Sequence, residues 1–392
     1  MTALQRIIHL SPEPAATSET FIRAHREYLP FAVISLFRWR APYRTADGRW
    51  VAFLPGTLRL LADRLKLRNL TRATTSWLHR ELAQWLRNTG ACAVLAEYGP
   101  LGANIAPACS LARIPLVVIF HGFDAYQQVT LDLHNSLYKE LFSIASALVV
   151  VSEPMRQQLI QLGAPPERLV VNSCGVDPAF FPAANPADAE PHFLAVGRFV
   201  SKKGPMQTIR AFARVLQVVP EARLTMIGTG PLLADSKALA EKLGLLDVIS
   251  FLGACSHSTV QAQLRQARAV VQHSLRCTSG DQEGTPVSLM EAQMAGVPVV
   301  STRHAGIPAV VIDGQTGYLV AEGDEEGMAD AMIRLALDPS LAAKQGVAAR
   351  DHAMRHHTLD RHITSLSHTI HRVLAQSLYS HGFSHKTSKS LT

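Results

Sequence analysis

Short apolar runs alternate with longer helical patterns twice along this chain, and a proline-rich segment divides the two series. The first series places candidate strands at Gln5–Leu10, Cys92–Ala96, Leu116–Phe120, Leu148–Val151 and Leu169–Asn172. After Val176 comes Asp-Pro-Ala-Phe-Phe-Pro-Ala-Ala-Asn-Pro-Ala-Asp-Ala-Glu-Pro, which reads as a linker because its prolines and Asx residues break both helix and strand. The second series places strands at Phe193–Val196, Arg223–Ile227, Val248–Phe251, Ala269–Gln272 and Val297–Ser301. Strands separated by helices pair in parallel, so each series predicts a doubly wound α/β domain that binds ligands at strand C-terminal ends. The expected division is an N-terminal domain over 1–184 and a C-terminal domain over 185–359. A helix over about 360–378 is expected to pack back on the first domain, with a flexible polar tail at 379–392. A length of 392 residues suffices for two such cores.

Composition excludes several classes. A chain that is 47% hydrophobic and 18% charged is globular, not disordered. No apolar run approaches the ~18–20 residues of a membrane span. The start, Met1 to Leu10, reads as a first strand and not as a signal peptide. Cys92, Cys109, Cys174, Cys255 and Cys277 are odd in number, widely spaced and without a C-x-x-C, which implies free thiols in a reducing cytoplasm.

Three segments carry chemistry. The stretch Ser279 to Val300 places Glu283 eight positions before Glu291. Thr285 is a good N-cap, Pro286 suits the first helical position, and Gly296 with Pro298 marks an end, so a helix from about Pro286 to Ala295 follows. A helix N-terminus favours an anion, whereas two flanking carboxylates would repel one unless they hold something else, such as sugar hydroxyls. The plain reading is two solvated glutamates; the surrounding Gly, Thr-Pro and Gly-x-Pro punctuation speaks against it. In the second segment, Phe193 to Gly204, a strand ends at Gly197 and a loop carries Arg198, Lys202 and Lys203, cations suited to a diphosphate. The third, Phe120 to Tyr126, sets His121 and Asp124 directly after a buried-looking strand, where active-site groups gather.

The Glu-x7-Glu stretch resembles the donor-site motif of the retaining glycosyltransferases of family 4, which have the GT-B fold: two Rossmann-like domains facing across a cleft. Spacing, Gly-Thr-Pro, Glu-Ala and Gly-x-Pro-Val-Val all agree. The resemblance implies that Glu283 contacts donor-sugar hydroxyls and Glu291 the ribose, with backbone amides from Gly284 through Thr285 and Pro286 to Val287 facing sugar and diphosphate. It implies a diphosphate clamp of Arg198 and Lys203 after Gly197, and a sugar contact from His121 near the reaction centre, oriented by Asp124. The loop Phe251 to Ser256 would take the nucleobase. The implied reaction moves a hexosyl unit from a UDP- or GDP-sugar to a glycan or lipid-linked acceptor, with retained configuration and no metal or other cofactor. No D-x-D occurs, and the nearest acidic pair is Asp281 with Glu283.

Departures also matter. A Gly-Gly loop after the first strand is missing; Ser18-Glu19-Thr20-Phe21 stands there instead, similar to a subset associated with exopolysaccharide and cell-wall sugar assembly. Ser18 and Glu19, with Asp124, are candidate acceptor contacts, although capping of the next helix also suits Ser18. Charge is uneven: residues 1–100 hold fourteen basic and seven acidic side chains, matching the whole chain's net +7. Residues 35–72 interleave Arg38, Arg40, Arg44 and Arg49 with Trp39, Tyr43 and Trp50, followed by five further basic residues. Such a face suits the anionic cytoplasmic membrane surface; core aromatics with solvated arginines suit the pattern equally. Without a nucleic-acid-binding module, nucleic acid is not an expected partner. The eight His beyond Arg350 read as a solvated helix. Two other functions compete: a GT-B phosphorylase or epimerase, and a catalytically silent protein at the membrane surface.

Overall fold

The computed structural model describes residues 4–12 and 20–384. They form two compact units, the first comprising residues up to Ala125, Val129–Asn172 and the chain from Ile363, the second Tyr126–Gln128 and Ser173–His362.

In the first unit, strands β1 (Arg6–Ser11), β2 (Ala32–Phe37), β3 (Tyr43–Thr45), β4 (Trp50–Val51), β5 (Ala93–Glu97), β6 (Leu116–Phe120), β7 (Ala147–Val150) and β8 (Leu169–Val171) form one sheet. Its order is β4-β3-β2-β1-β5-β6-β7-β8. Six strands run parallel, while β3 and β4 add an antiparallel edge. Helices cover both faces of such a sheet, which is why β5, β6 and β7 are apolar and buried along nearly their whole length. The long helix Leu359–Ser384 buries Ile363, Leu366, Ile370 and Val373, a stripe at spacings of three and four. Phe31 stacks on His371 of that helix, with ring centroids 5.0 Å apart.

The second unit holds β9 (His192–Val196), β10 (Arg223–Ile227), β11 (Ile249–Gly253), β12 (Ala269–Val271), β13 (Val299–Thr302) and β14 (Gly317–Val320). All are parallel in the order β11-β10-β9-β12-β13-β14. The strand order reverses between β9 and β12, and ligands bind in the crevice at such a switch point. Caps are local and legible: Ser256 and Asp324 accept from Thr259 and Gly327 backbone N–H groups at the starts of helices His257–Arg265 and Glu325–Leu337.

Several boundaries differ from the sequence reading. The proline-rich stretch is no free linker. Ala184 N–H donates to the Ala295 carbonyl at 2.8 Å, and the Arg350 guanidinium donates to the Phe181 carbonyl at 2.8 Å. These contacts move the division from 184/185 to Asn172/Ser173. The final helix continues past 378 to Ser384, and residues 385–392 lie outside the described residues. Strands β2, β3, β4 and β14 were not expected. The pairing of β3 and β4 with β2 is obscured by the aromatic and arginine pattern that follows β2, and β14 opens on Gly317 directly after turn residues. The late histidines are not all solvated: His357 and His362 are buried, donating to the Ala309 and Ser173 carbonyls at 3.2 and 2.8 Å.

Burial pushes His357 down to about 4 from the ordinary imidazole value of 6.5. The folded chain therefore refuses a proton that the unfolded chain accepts, and stability is lost as pH falls from about 6.5 toward 4. Denaturant midpoints at pH 7 and pH 5 should differ less in His357→Gln than in the wild type; an unchanged difference contradicts this assignment.

Candidate active site

The switch crevice of the second unit gathers the candidate donor residues. Gly197 and Arg198 follow β9, and Gln272 follows β12; with Lys203 they line one cavity. Lys203 lies 3.1 Å from the Glu283 carboxylate and donates to Gln272 Oε1 at 3.3 Å. Its neighbour Lys202 donates to Asp281 at 3.1 Å and to the Gln282 carbonyl at 3.2 Å. Two adjacent lysines thus hold the loop that carries Glu283. Arg198 is exposed and, among the described residues, makes no ion pair. Burial opposes charge on Glu283, but Lys203 and Lys202 outweigh it and hold the carboxyl below its ordinary value. Lys203 is itself lowered by burial, in part offset by Glu283.

Backbone geometry explains the tight turn. Gly204 has φ of 53°, and a Cβ there would lie 1.9 Å from the His273 carbonyl oxygen. Only glycine lets the loop after Lys203 pass so near β12.

Two histidines that the sequence reading did not single out brace the loops. His304 Nε2 accepts from the Glu283 backbone N–H at 3.2 Å, which leaves Nδ1 to donate to Glu322 at 2.6 Å. His273 Nε2 likewise accepts from Gly323 N–H at 2.9 Å. The helix after Glu283 runs Val287–Met294 with Pro286 at its N-cap, so Thr285, the expected cap, stands one place ahead of the observed one and is buried. Gly284 continues that loop, its carbonyl accepting from Gly306 N–H at 3.1 Å. Glu291 faces the next loop: His257, which follows Phe251–Ser256, lies 3.6 Å from its carboxylate and meets Phe181 edge-on at 5.1 Å. The expected ribose contact therefore sits beside the expected base loop.

The first unit builds a second polar cluster. In parallel register His9 is opposite Leu95 and Glu97 opposite Ile119. Side chains two apart share a face, so His9, Glu97 and His121 project from adjacent strands to the same side of the sheet. His25, on helix Thr20–Tyr28, covers that side. Glu97 Oε1 accepts from His9 Nε2 at 2.7 Å and His25 Nδ1 at 2.6 Å, and Oε2 accepts from His121 Nε2 at 2.8 Å. Burial raises the Glu97 carboxyl, yet the three imidazoles outweigh it and hold it well below the ordinary value. Burial holds His9 below the ordinary imidazole value, in part offset by Glu97. His9 Nε2, His25 Nδ1 and a Glu97 oxygen lie within 4.8 Å of one another, with both rings donating to the same carboxylate oxygen. Asp124 does not orient the His121 ring; its carboxylate accepts backbone N–H groups of His121, Gly122 and Gly99 at 3.0, 2.8 and 2.9 Å. Ser18 and Glu19 lie outside the described residues.

The arginine-rich region is neither wholly core nor wholly solvated. Tyr43 is buried, whereas Trp39, Trp50, Phe53, Leu54 and Leu61 are exposed at 42% to 56%. Leu65, Leu67 and Leu70 are exposed beside Arg64, Lys66, Arg68 and Arg72, around the turn joining helices Phe53–Arg64 and Arg68–Thr89. Arg38 lies over the Trp50 ring, 5.2 Å from its centroid. No helix among the described residues is long and apolar enough to cross a membrane.

Comparison with known proteins adds to this geometry. The profile for glycosyl transferases group 1 matches residues 177–352, and that for glycosyltransferase family 4 matches 32–180. The chain is 31% identical over 280 residues to the colanic acid biosynthesis glycosyltransferase WcaL of Escherichia coli, covering 69% of each. It is 34% identical over 239 residues to the Salmonella typhimurium WcaL, covering 60% of this chain and 59% of that protein. The match thus spans about three fifths to two thirds of these relatives' length. Anabaena HepE, solved in complex with UDP and glucose, superposes with a TM-score of 0.73 at 17% identity, covering 93% of this chain and 99% of HepE. At that identity the likeness shows the fold, GT-B.

The Lys203–Glu283 pair yields a stability test. Removing one partner of a buried pair strands the other charge and costs about 3–5 kcal/mol. Lys203→Met and Glu283→Gln should each lower the unfolding midpoint, and the double variant should lose less than their sum. Strict additivity in denaturant titrations contradicts the pairing.

Proposed function

The chain belongs to the glycosyl transferases group 1 family, and from that premise we propose that it transfers a hexosyl unit, with retained anomeric configuration, from a UDP- or GDP-sugar to a glycan or lipid-linked acceptor in polysaccharide assembly. The observation that carries this reading is the grouping of Arg198, Lys203 and Glu283 at the switch point of the second unit. A diphosphate recruits Arg198 and shares Lys203 with Glu283, which frees the carboxylate to accept from sugar hydroxyls. Glu291 takes the ribose. As the glycosidic bond breaks, negative charge grows on the departing diphosphate, and fixed cations with the amides of Gly284–Val287 stabilise it without reorganising. The positive charge of these fixed cations takes the place that a divalent ion would otherwise fill, so the proposed reaction is metal-independent. In the same-face displacement the departing phosphate oxygen takes the acceptor proton, and no side chain is needed as a covalent nucleophile.

Lys203→Ala and Glu283→Gln variants that remain folded should lose at least about 100-fold in kcat/KM, a loss of about 3 kcal/mol of transition-state stabilisation. NMR of the product should show the donor's anomeric configuration, and activity should persist in EDTA. Full activity of both variants, an inverted product, or release of sugar phosphate on addition of inorganic phosphate overturns the reading.

The enzyme acts at the cytoplasmic membrane face. Exposed Trp39, Trp50, Leu61 and Leu65 beside Arg64, Lys66 and Arg68 support that placement, at about 1 kcal/mol per basic residue near an anionic surface. The protein should co-sediment with phosphatidylglycerol-containing vesicles at low salt, and Leu61→Asp/Leu65→Asp should abolish this. Equal recovery with and without vesicles contradicts it.

A further inference from the structure

Glu97 lies in the run Ala96 to Pro100, to which the family reading assigns no role, yet it is fully buried and accepts from three imidazoles. We propose that Glu97 is a positioning residue that fixes the proton of His121 on Nε2, so that this histidine presents Nδ1 to a substrate hydroxyl as a hydrogen-bond acceptor. A carboxylate only accepts, so the 2.8 Å contact from Glu97 Oε2 requires N–H on His121 Nε2. A neutral imidazole then carries its lone pair on Nδ1, and the second partner determines which nitrogen meets the ligand.

The remaining contacts keep the carboxylate from turning. His9 and His25 both hold Oε1, one from β1 and one from the helix over it. The His121 ring is held by Tyr98, edge-on at 4.8 Å, and by Phe21 at 4.6 Å. Its backbone N–H is held by Asp124 at 3.0 Å. The charged and titratable groups facing this cluster are therefore His9, His25, His121 and Asp124, with Arg26 acting on His9 from the covering helix. Held at Nε2 and against the Tyr98 and Phe21 rings, the imidazole can serve through Nδ1 as a preset acceptor for a sugar O–H, at no cost in reorientation.

Glu97→Gln inverts this arrangement while keeping its shape. The amide oxygen can still accept from His9 and His25, which turns the amide N–H₂ to His121 and requires its proton on Nδ1. The role in transfer rests on the function proposed for His121, so the decisive measurement makes no use of activity. Two-bond ¹⁵N–¹H spectra of the full-length, ¹⁵N-histidine-labelled protein, assigned with His121→Ala, should show the Nε2–H tautomer in the wild type. They should show Nδ1–H in Glu97→Gln. A wild-type Nδ1–H tautomer overturns the proposal and requires no variant to fold.

Kinetics supplies the second readout. Glu97→Gln should reduce kcat/KM about 10- to 100-fold, the scale of one charge-assisted hydrogen bond. In the His121→Ala background the same substitution should cost nothing further, whereas additive losses overturn a role through His121. If His121→Ala itself keeps full transfer activity, the reading of His121 as a sugar contact fails, and the spectra alone decide the tautomer.

Discussion

The position of β9 governs the second unit. It pairs with β10 on one side and β12 on the other, and the chain reverses its winding direction there. Neighbouring helices must then leave on opposite faces, so the ends of β9 and β12 open a crevice that no crossover fills. Gly197, Gln272 and the loop to Gly204 occupy that edge because the strand order puts them there. Lys203 reaches Glu283 only because the loop after β9 folds back against the His273 carbonyl, where a side chain on Gly204 would collide. The donor site is thus a consequence of topology before it is one of chemistry.

Both units place polar residues at buried strand ends and satisfy them there. A buried carboxylate without partners is costly, and each unit meets this differently. Glu283 is balanced by lysines, which an anionic ligand can recruit. Glu97 is balanced by imidazoles, which hold it in place and in turn have their protons placed by it. The first arrangement is suited to exchange with a ligand; the second is suited to fixing a geometry.

Much of this was legible in the residues. Alternating apolar runs marked ten of the strands, and Glu-x7-Glu with its Gly-Thr-Pro signature marked the donor loop. The histidine braces were not legible, because His273 and His304 act through backbone amides whose partners lie far along the chain. Glu97 could have been suspected, since His9 stands among Ile7, Ile8 and Leu10 and Glu97 ends an otherwise apolar strand. Their meeting depends on register between β1, β5 and β6, which no local pattern announces. The proline-rich stretch misled for a related reason: proline forbids regular structure but not packing, and its carbonyls found Arg350.

The central claim is that the switch-point crevice binds a nucleoside-diphosphate sugar through cations held at its rim. Calorimetric titration of the full-length protein with UDP- and GDP-sugars tests it most directly. One nucleotide class should bind saturably at one site, and Arg198→Ala should weaken that binding at least tenfold, while Arg223→Ala, remote from the crevice, leaves it unchanged. Absence of saturable binding for both classes, or binding indifferent to Arg198→Ala, would contradict the account.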